Sequence, residues 1–146
     1  MKEILFICSG NYYRSRFAEA VFNHLAIQRG LPWRAFSRGL ATWMAEGDLS
    51  LYTEEALRAR GIARNLTGPT RSKLTEADLQ RAHLAIAVKG DEHRQMMREQ
   101  FPAWEKRITY WAIHDLDCAL PEESLPVLEQ HVRALAERLT AEQQRA

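Results

Sequence analysis

The sequence predicts an α/β fold: one domain spanning residues 1–146, with a four-stranded parallel sheet and helices on both faces. Two observations predict it. Short apolar runs of strand length alternate along the chain with amphipathic segments of helical period. The 146 residues are 46% hydrophobic, enough for a single well-buried core and too many for a disordered chain.

The elements follow in order. Glu3 to Ile7 is a short apolar, partly β-branched run, the pattern of a strand buried on both faces. Ser15 to Arg29 reads as a helix. Phe17, Ala18, Val21, Phe22 and Leu25 share one face, and Gly30 supplies the stop. Trp33 to Ser37 is a second strand. Glu54 to Arg60 is helical and ends at Gly61. A short helix, Asp78 to Arg81, leads into a third strand, His83 to Val88. Asp91 to Gln100 is a helix that ends before Pro102, and Arg107 to Trp111 is a fourth strand. In the last helix Leu125, Leu128, Val132, Leu135 and Leu139 recur at three and four, with Pro121 and two glutamates near its start. In sheets of this kind ligands sit beyond the carboxyl ends of the strands. Cys8 lies at that end of the first strand.

Composition excludes several classes. A net charge of +1 gives no electrostatic footprint for nucleic acid, and no block of like charge suits a membrane surface. The apolar stretches fall well short of the roughly 20 residues that span a bilayer. Met1 to Ile7 is too short for a secretory signal, so a cytoplasmic protein is expected. The two cysteines, Cys8 and Cys118, do not make a disulfide framework, and a free thiol is the better reading.

Residues 8 to 15 read Cys-Ser-Gly-Asn-Tyr-Tyr-Arg-Ser, between a buried strand and a helix. In a tight strand-to-helix loop the backbone N–H groups converge, and the helix N-terminus adds partial positive charge. Such a loop cradles a dianion. Gly10 permits backbone angles closed to other residues, and Asn11 tolerates the left-handed region. Arg14 has the planar fork that grips two phosphate oxygens. The same positive field favours the thiolate of Cys8, to which Ser15 can donate a hydrogen bond. With 16 arginines in the chain, the Cys-to-Arg spacing alone arises easily by accident, and a cysteine ending a strand is often only core. The strand before, Gly10 and Asn11 within, and Ser15 with the amphipathic helix after make the phosphate loop the stronger reading.

Ile4 to Ser15, followed by Phe17-Ala18-Glu19-Ala20, resembles the signature of the low-molecular-weight protein tyrosine phosphatases, shared by thioredoxin-coupled arsenate reductases. The resemblance runs on through Ser37-Arg38-Gly39-Leu40-Ala41-Thr42, Gly61-Ile62, Leu74 to Leu79, Ala87-Val88 and Glu92-His93. It implies the same four-stranded fold and a metal-free, cofactor-free hydrolysis of phosphomonoesters, with a phosphorylated protein or small aryl phosphate as substrate. Cys8 is then the nucleophile, Arg14 the clamp, and Ser9, Gly10, Asn11, Tyr12, Tyr13 and Ser15 the phosphate cradle. Trp43 falls where the family places an aromatic wall. The family's acid is an aspartate followed by proline after the fourth strand. Asp115 aligns best, although Leu116 follows it, and Asp117 is the alternative.

Three departures accompany the resemblance. Tyr13 replaces the second cysteine that many members carry. Tyr12 stands in place of a smaller residue, either to pack beside an aromatic substrate or to shield the loop. The histidine that braces the family's loop has no counterpart in Thr67 to Lys73, so the loop is expected to be held differently. His24, His83, His93, His114 and His131 lack metal-ligand spacing and read as surface or packing residues. Arg58, Arg60 and Arg64 read as a solvated face, and Trp33, Trp104 and Trp111 as core. Two alternatives remain. An arsenate reductase needs two further cysteines, where only Cys118 is left. A catalytically weak phosphate-binding module is the other.

Overall fold

The computed structural model describes residues 1–113 and 120–145. The elements are β1 (Lys2–Cys8), α1 (Arg14–Arg29), β2 (Trp33–Gly39), α2 (Leu51–Ala59), α3 (Glu76–Arg81), β3 (Leu84–Ala87), α4 (Gly90–Gln100), β4 (Thr109–Tyr110) and α5 (Pro121–Arg145). The sheet runs β2-β1-β3-β4 with every pair parallel. β1 is therefore central, and its residues alternate between two cores. Ile4, Phe6 and Cys8 face the core closed by α1, α2 and α5. Leu5 and Ile7 face the one closed by α3 and α4. Both faces are covered, as the apolar run of β1 predicts.

From β1 the chain goes to β2 on one side and then to β3 on the other. That reversal opens a crevice at the carboxyl end of β1, where open parallel sheets place their ligands. Gly39, at the end of β2, is what lets the neighbouring loop close down there. A Cβ on it would lie 2.7 Å from the Ser9 carbonyl oxygen and 2.8 Å from the Asn11 nitrogen.

Boundaries moved where side chains cap the helices. α2 starts at Leu51 because the Ser50 hydroxyl accepts the Tyr52 N–H. α3 starts at Glu76 behind a capping box of Thr75 and Asp78. α1 ends on Gly30 in the left-handed conformation, φ 65°, as its position predicts. The expected solvated face of Arg58, Arg60 and Arg64 divides. Arg60 is partly buried, stacks over Phe17 and pairs with Glu129 at 2.6 Å, joining α2 to α5. Among the described residues no helix is long and apolar enough to cross a membrane.

Candidate active site

Cys8 ends β1 almost fully buried, its Sγ 2.8 Å from the Ser15 Oγ at the start of α1. The Asn11 amide donates to Ser15 Oγ and to Ser37 Oγ, both at 3.0 Å. Its Oδ1 accepts the Ser72 N–H at 2.8 Å. Ser15 accepts from Asn11 and keeps its own proton, so toward a Cys8 thiolate, which has none to give, the Ser15 hydroxyl is the donor. Asn11 holds φ 51°, the left-handed conformation that its residue type tolerates.

The backbone of the loop is tied by its carbonyls. Cys8 O accepts the Leu40 N–H, Ser9 O the Ala41 N–H and Tyr12 O the Ser50 N–H, all at 2.8–2.9 Å. Tyr13 O accepts the Thr53 hydroxyl at 2.9 Å. No described peptide bond is cis. A trans peptide directs its C=O and N–H oppositely, so each carbonyl fixed outward leaves the next N–H facing the other way, into the loop. Arg14 is buried and reaches the Ile113 carbonyl at 3.0 Å.

The structure places the remaining sequence candidates differently from one another. Tyr13 is packed into the core, 5% exposed, so its place in the cradle is a matter of backbone alone. Tyr12 is partly buried, its ring against Gly47. Trp43, on a short turn from Thr42 to Met44, is 72% exposed. Asp115, Asp117, Cys118 and His114 lie outside the described residues. The described chain reaches Arg14 at Ile113, two positions before Asp115 in sequence.

Sequence reasoning missed the framework beneath the loop. Glu19 is buried in α1 and accepts from Ser37, Thr67 and the Gly68 N–H. Burial raises its pKa, opposed by the bonds from Ser37 and Thr67 and by the nearby Arg16. Arg16 is fully buried and donates to Thr67, to the Gly68 carbonyl and to the Asp48 carbonyl. The segment that lacks a histidine thus braces the loop through Thr67, Gly68 and Ser72. Its signal in the sequence was two charged residues, Arg16 and Glu19, inside the apolar stretch that opens α1.

Of the histidines read as surface or packing residues, His93 is fully buried, and beyond packing it is bonded to the loop. The Lys89 N–H donates to its Nδ1 at 3.0 Å, which leaves the proton on Nε2, 3.1 Å from Ser9 Oγ. Ser9 in turn donates to Glu92 Oε1 at 2.6 Å. Burial, with Arg14 and Lys89 nearby, lowers the His93 pKa from 6.5 to about 3. The unfolded chain therefore takes up a proton between those values that the folded one refuses. Stability contributed at neutral pH is lost as pH falls through that window, at about 1.4 kcal/mol per pH unit. Denaturation midpoints of His93→Gln should fall less steeply than wild type from 6.5 downward. Parallel pH slopes would contradict this.

The family described as low molecular weight phosphotyrosine protein phosphatase matches residues 3–145. A protein-arginine-phosphatase of Bacillus subtilis is 32% identical over 106 residues, 73% of this chain and 67% of that protein. The low molecular weight protein-tyrosine-phosphatase YfkJ of the same species is 36% identical over 90 residues, 60% of this chain and 56% of that one. The crystal structure of YfkJ superposes with a TM-score of 0.85 at 26% identity, covering 97% of this chain and 96% of its own. The YwlE arginine phosphatase from Geobacillus stearothermophilus gives 0.78 at 27% identity, covering 99% and 97%. Matched across nearly its whole length, the chain belongs to the low molecular weight phosphotyrosine protein phosphatase family of cysteine-dependent phosphatases.

Proposed function

We propose that this enzyme hydrolyses phosphotyrosine-type phosphomonoesters, on phosphorylated proteins or small aryl phosphates, through a phosphoryl group carried on Cys8. The observation that carries the reading is the buried Cys8 sulfur, 2.8 Å from the Ser15 hydroxyl, which serves as hydrogen-bond donor to the thiolate. The thiolate attacks phosphorus and an S–P bond forms as the P–O bond to the leaving group breaks. Asp115 gives its proton to the departing oxygen. Water then attacks phosphorus, Asp115 takes the water's proton, and the S–P bond breaks to return thiolate and free phosphate. Ser9, Gly10, Asn11, Tyr12, Tyr13 and Ser15 supply N–H groups to the phosphoryl oxygens, and Arg14 clamps two of them as charge spreads in the transition state. A nucleophile of this kind works where thiols stay reduced, so we infer a cytoplasmic enzyme.

The arsenate reductase reading has only Cys118 to relay a disulfide, and the phosphatase relatives favour neither it nor a binding module. The protein-arginine-phosphatase relative supports a second reading, a phosphoarginine substrate. Efficiencies on phosphotyrosine, phosphoserine and phosphoarginine peptides decide between the two. Tyr12 and the Trp43 rim favour the aryl ester, with phosphoserine too short to bring phosphorus to Cys8. An aromatic contact adds about 0.5–1.5 kcal/mol beyond burial, so Trp43→Ala should raise KM for phosphotyrosine by about tenfold or less. Equal efficiency on phosphoserine and phosphotyrosine, or preference for phosphoarginine, would overturn the aryl reading.

A further inference from the structure

The outward carbonyls of the phosphate loop are held by neighbouring backbone at Cys8, Ser9 and Tyr12, by the Thr53 hydroxyl at Tyr13, and by a charged side chain at Gly10. Leu40, Ala41 and Ser50 use their N–H groups on Cys8, Ser9 and Tyr12. The Gly10 carbonyl is held by a side chain from 61 residues away, Arg71 Nη1 at 3.2 Å. The same Nη1 donates to the Thr42 carbonyl at 2.6 Å, and Arg71 Nε donates to the Gly47 carbonyl at 2.7 Å. One guanidinium therefore joins the phosphate loop to both ends of the segment that carries Trp43. Next to it in sequence, the Ser72 N–H grips the Asn11 side chain. Among the described residues Arg71 has no carboxylate partner, and its guanidinium bonds go to these three carbonyls.

The Gly10–Asn11 peptide is where such a tie matters most. Gly10 has no Cβ to restrict its backbone, and Asn11 sits at positive φ, so this peptide turns over more easily than its neighbours. Turned over, it would point a carbonyl oxygen at a bound dianion in place of an N–H. The Ala45 side chain lies against Gly10, 3.1 Å from where a Cβ would stand, so the segment tied by Arg71 also covers this peptide. We propose that Arg71 is a positioning residue of the phosphate loop, holding the Gly10 carbonyl outward so that the Asn11 N–H faces the phosphoryl group, and fixing the Trp43 segment to the same point. The proposal rests on the phosphatase reading of Cys8 and its loop.

The test compares wild type, Arg71→Ala and Arg71→Met on nitrophenyl phosphate, with vanadate inhibition and thermal melting measured beside it. Removing a preorganised donor outright costs about 10²–10³ in rate, and here the N–H remains but is misaimed part of the time, so kcat should fall about tenfold. The vanadate inhibition constant should rise by a like factor, because vanadate meets the same N–H groups. Millimolar guanidinium should restore part of kcat to Arg71→Ala and none to Trp43→Ala, a rescue that lost folding would not show. Arg71→Met keeps the side-chain stem and serves if alanine does not fold. Turnover and vanadate inhibition within about twofold of wild type in a folded Arg71 variant would overturn the proposal. A loss without guanidinium rescue that tracks the melting temperature would overturn it as well. Wild type that fails to hydrolyse the ester at all would instead bring down the phosphatase reading, and this proposal with it.

Discussion

Serine in place of Cys8 is expected to stop turnover while leaving anion binding intact. A serine hydroxyl in this loop stays protonated at neutral pH and is a poor nucleophile toward phosphorus, so kcat should fall by at least about 10⁴-fold. The bonds that tie the loop carbonyls through Leu40, Ala41 and Ser50 do not involve the sulfur. The cradle should therefore still bind phosphate or vanadate. Arg14→Ala should fail in the complementary way. It keeps the nucleophile but loses the planar clamp on the transferring phosphoryl group, a contribution of about 10³-fold or more. It should lose anion affinity together with rate. Wild-type-like turnover in Cys8→Ser would sink the mechanism. Calorimetric titration with phosphate separates the two variants.

The identity of the acid has a second large signature. Proton donation matters most when the leaving group is basic, and a tyrosine phenolate, with a pKa of about 10, needs it. A nitrophenolate is a far weaker base and leaves with little help. General acid assistance is worth about 10²–10⁴-fold. Asp115→Asn should thus slow phosphotyrosine hydrolysis within that range and slow nitrophenyl phosphate much less. Asp117→Asn should affect both substrates weakly and about equally. Asp115 is chosen for its distance from β4 in sequence, and the Ile113 contact with Arg14 brings the chain to the loop just before it. Leu116 in place of a proline is the departure that keeps Asp117 in the comparison. Leaving-group dependence in Asp117→Asn and not in Asp115→Asn would assign the acid to the other residue.

The fold was legible where a single periodic signal decides the element. β1 shows in an apolar run, α1 and α5 in repeats at three and four, and the end of α1 in Gly30. It was less legible where a partner decides. Arg107 to Trp111 reads as a strand of five, yet only Thr109 and Tyr110 form the ladder, opposite Ile86 and Ala87 at the end of β3. The early starts of α2 and α3 turn on the hydroxyls of Ser50 and Thr75, which are a few atoms in size and leave no period.

The candidate site divides the same way. Cys8 to Ser15 is contiguous, so its order carried the chemistry. The brace is assembled from Arg16, Glu19, Ser37, Thr67, Arg71 and His93, which come from separate parts of the chain and reach the loop only in the folded structure. His93 shows the cost of reading residues singly. By type it is an ordinary packing histidine, and only the Lys89 N–H on one ring nitrogen and Ser9 on the other give it a task.

The central claim is that phosphate passes through Cys8. The most direct measurement is acid-quench mass spectrometry of the wild-type enzyme caught during turnover of an aryl phosphate, with Cys8→Ser run beside it. A phosphoryl group is expected on the peptide that contains Cys8, appearing within the first turnover, decaying as substrate is exhausted, and never accumulating on any other residue. Steady turnover with phosphate on a different side chain, or turnover that persists undiminished in Cys8→Ser, would contradict it.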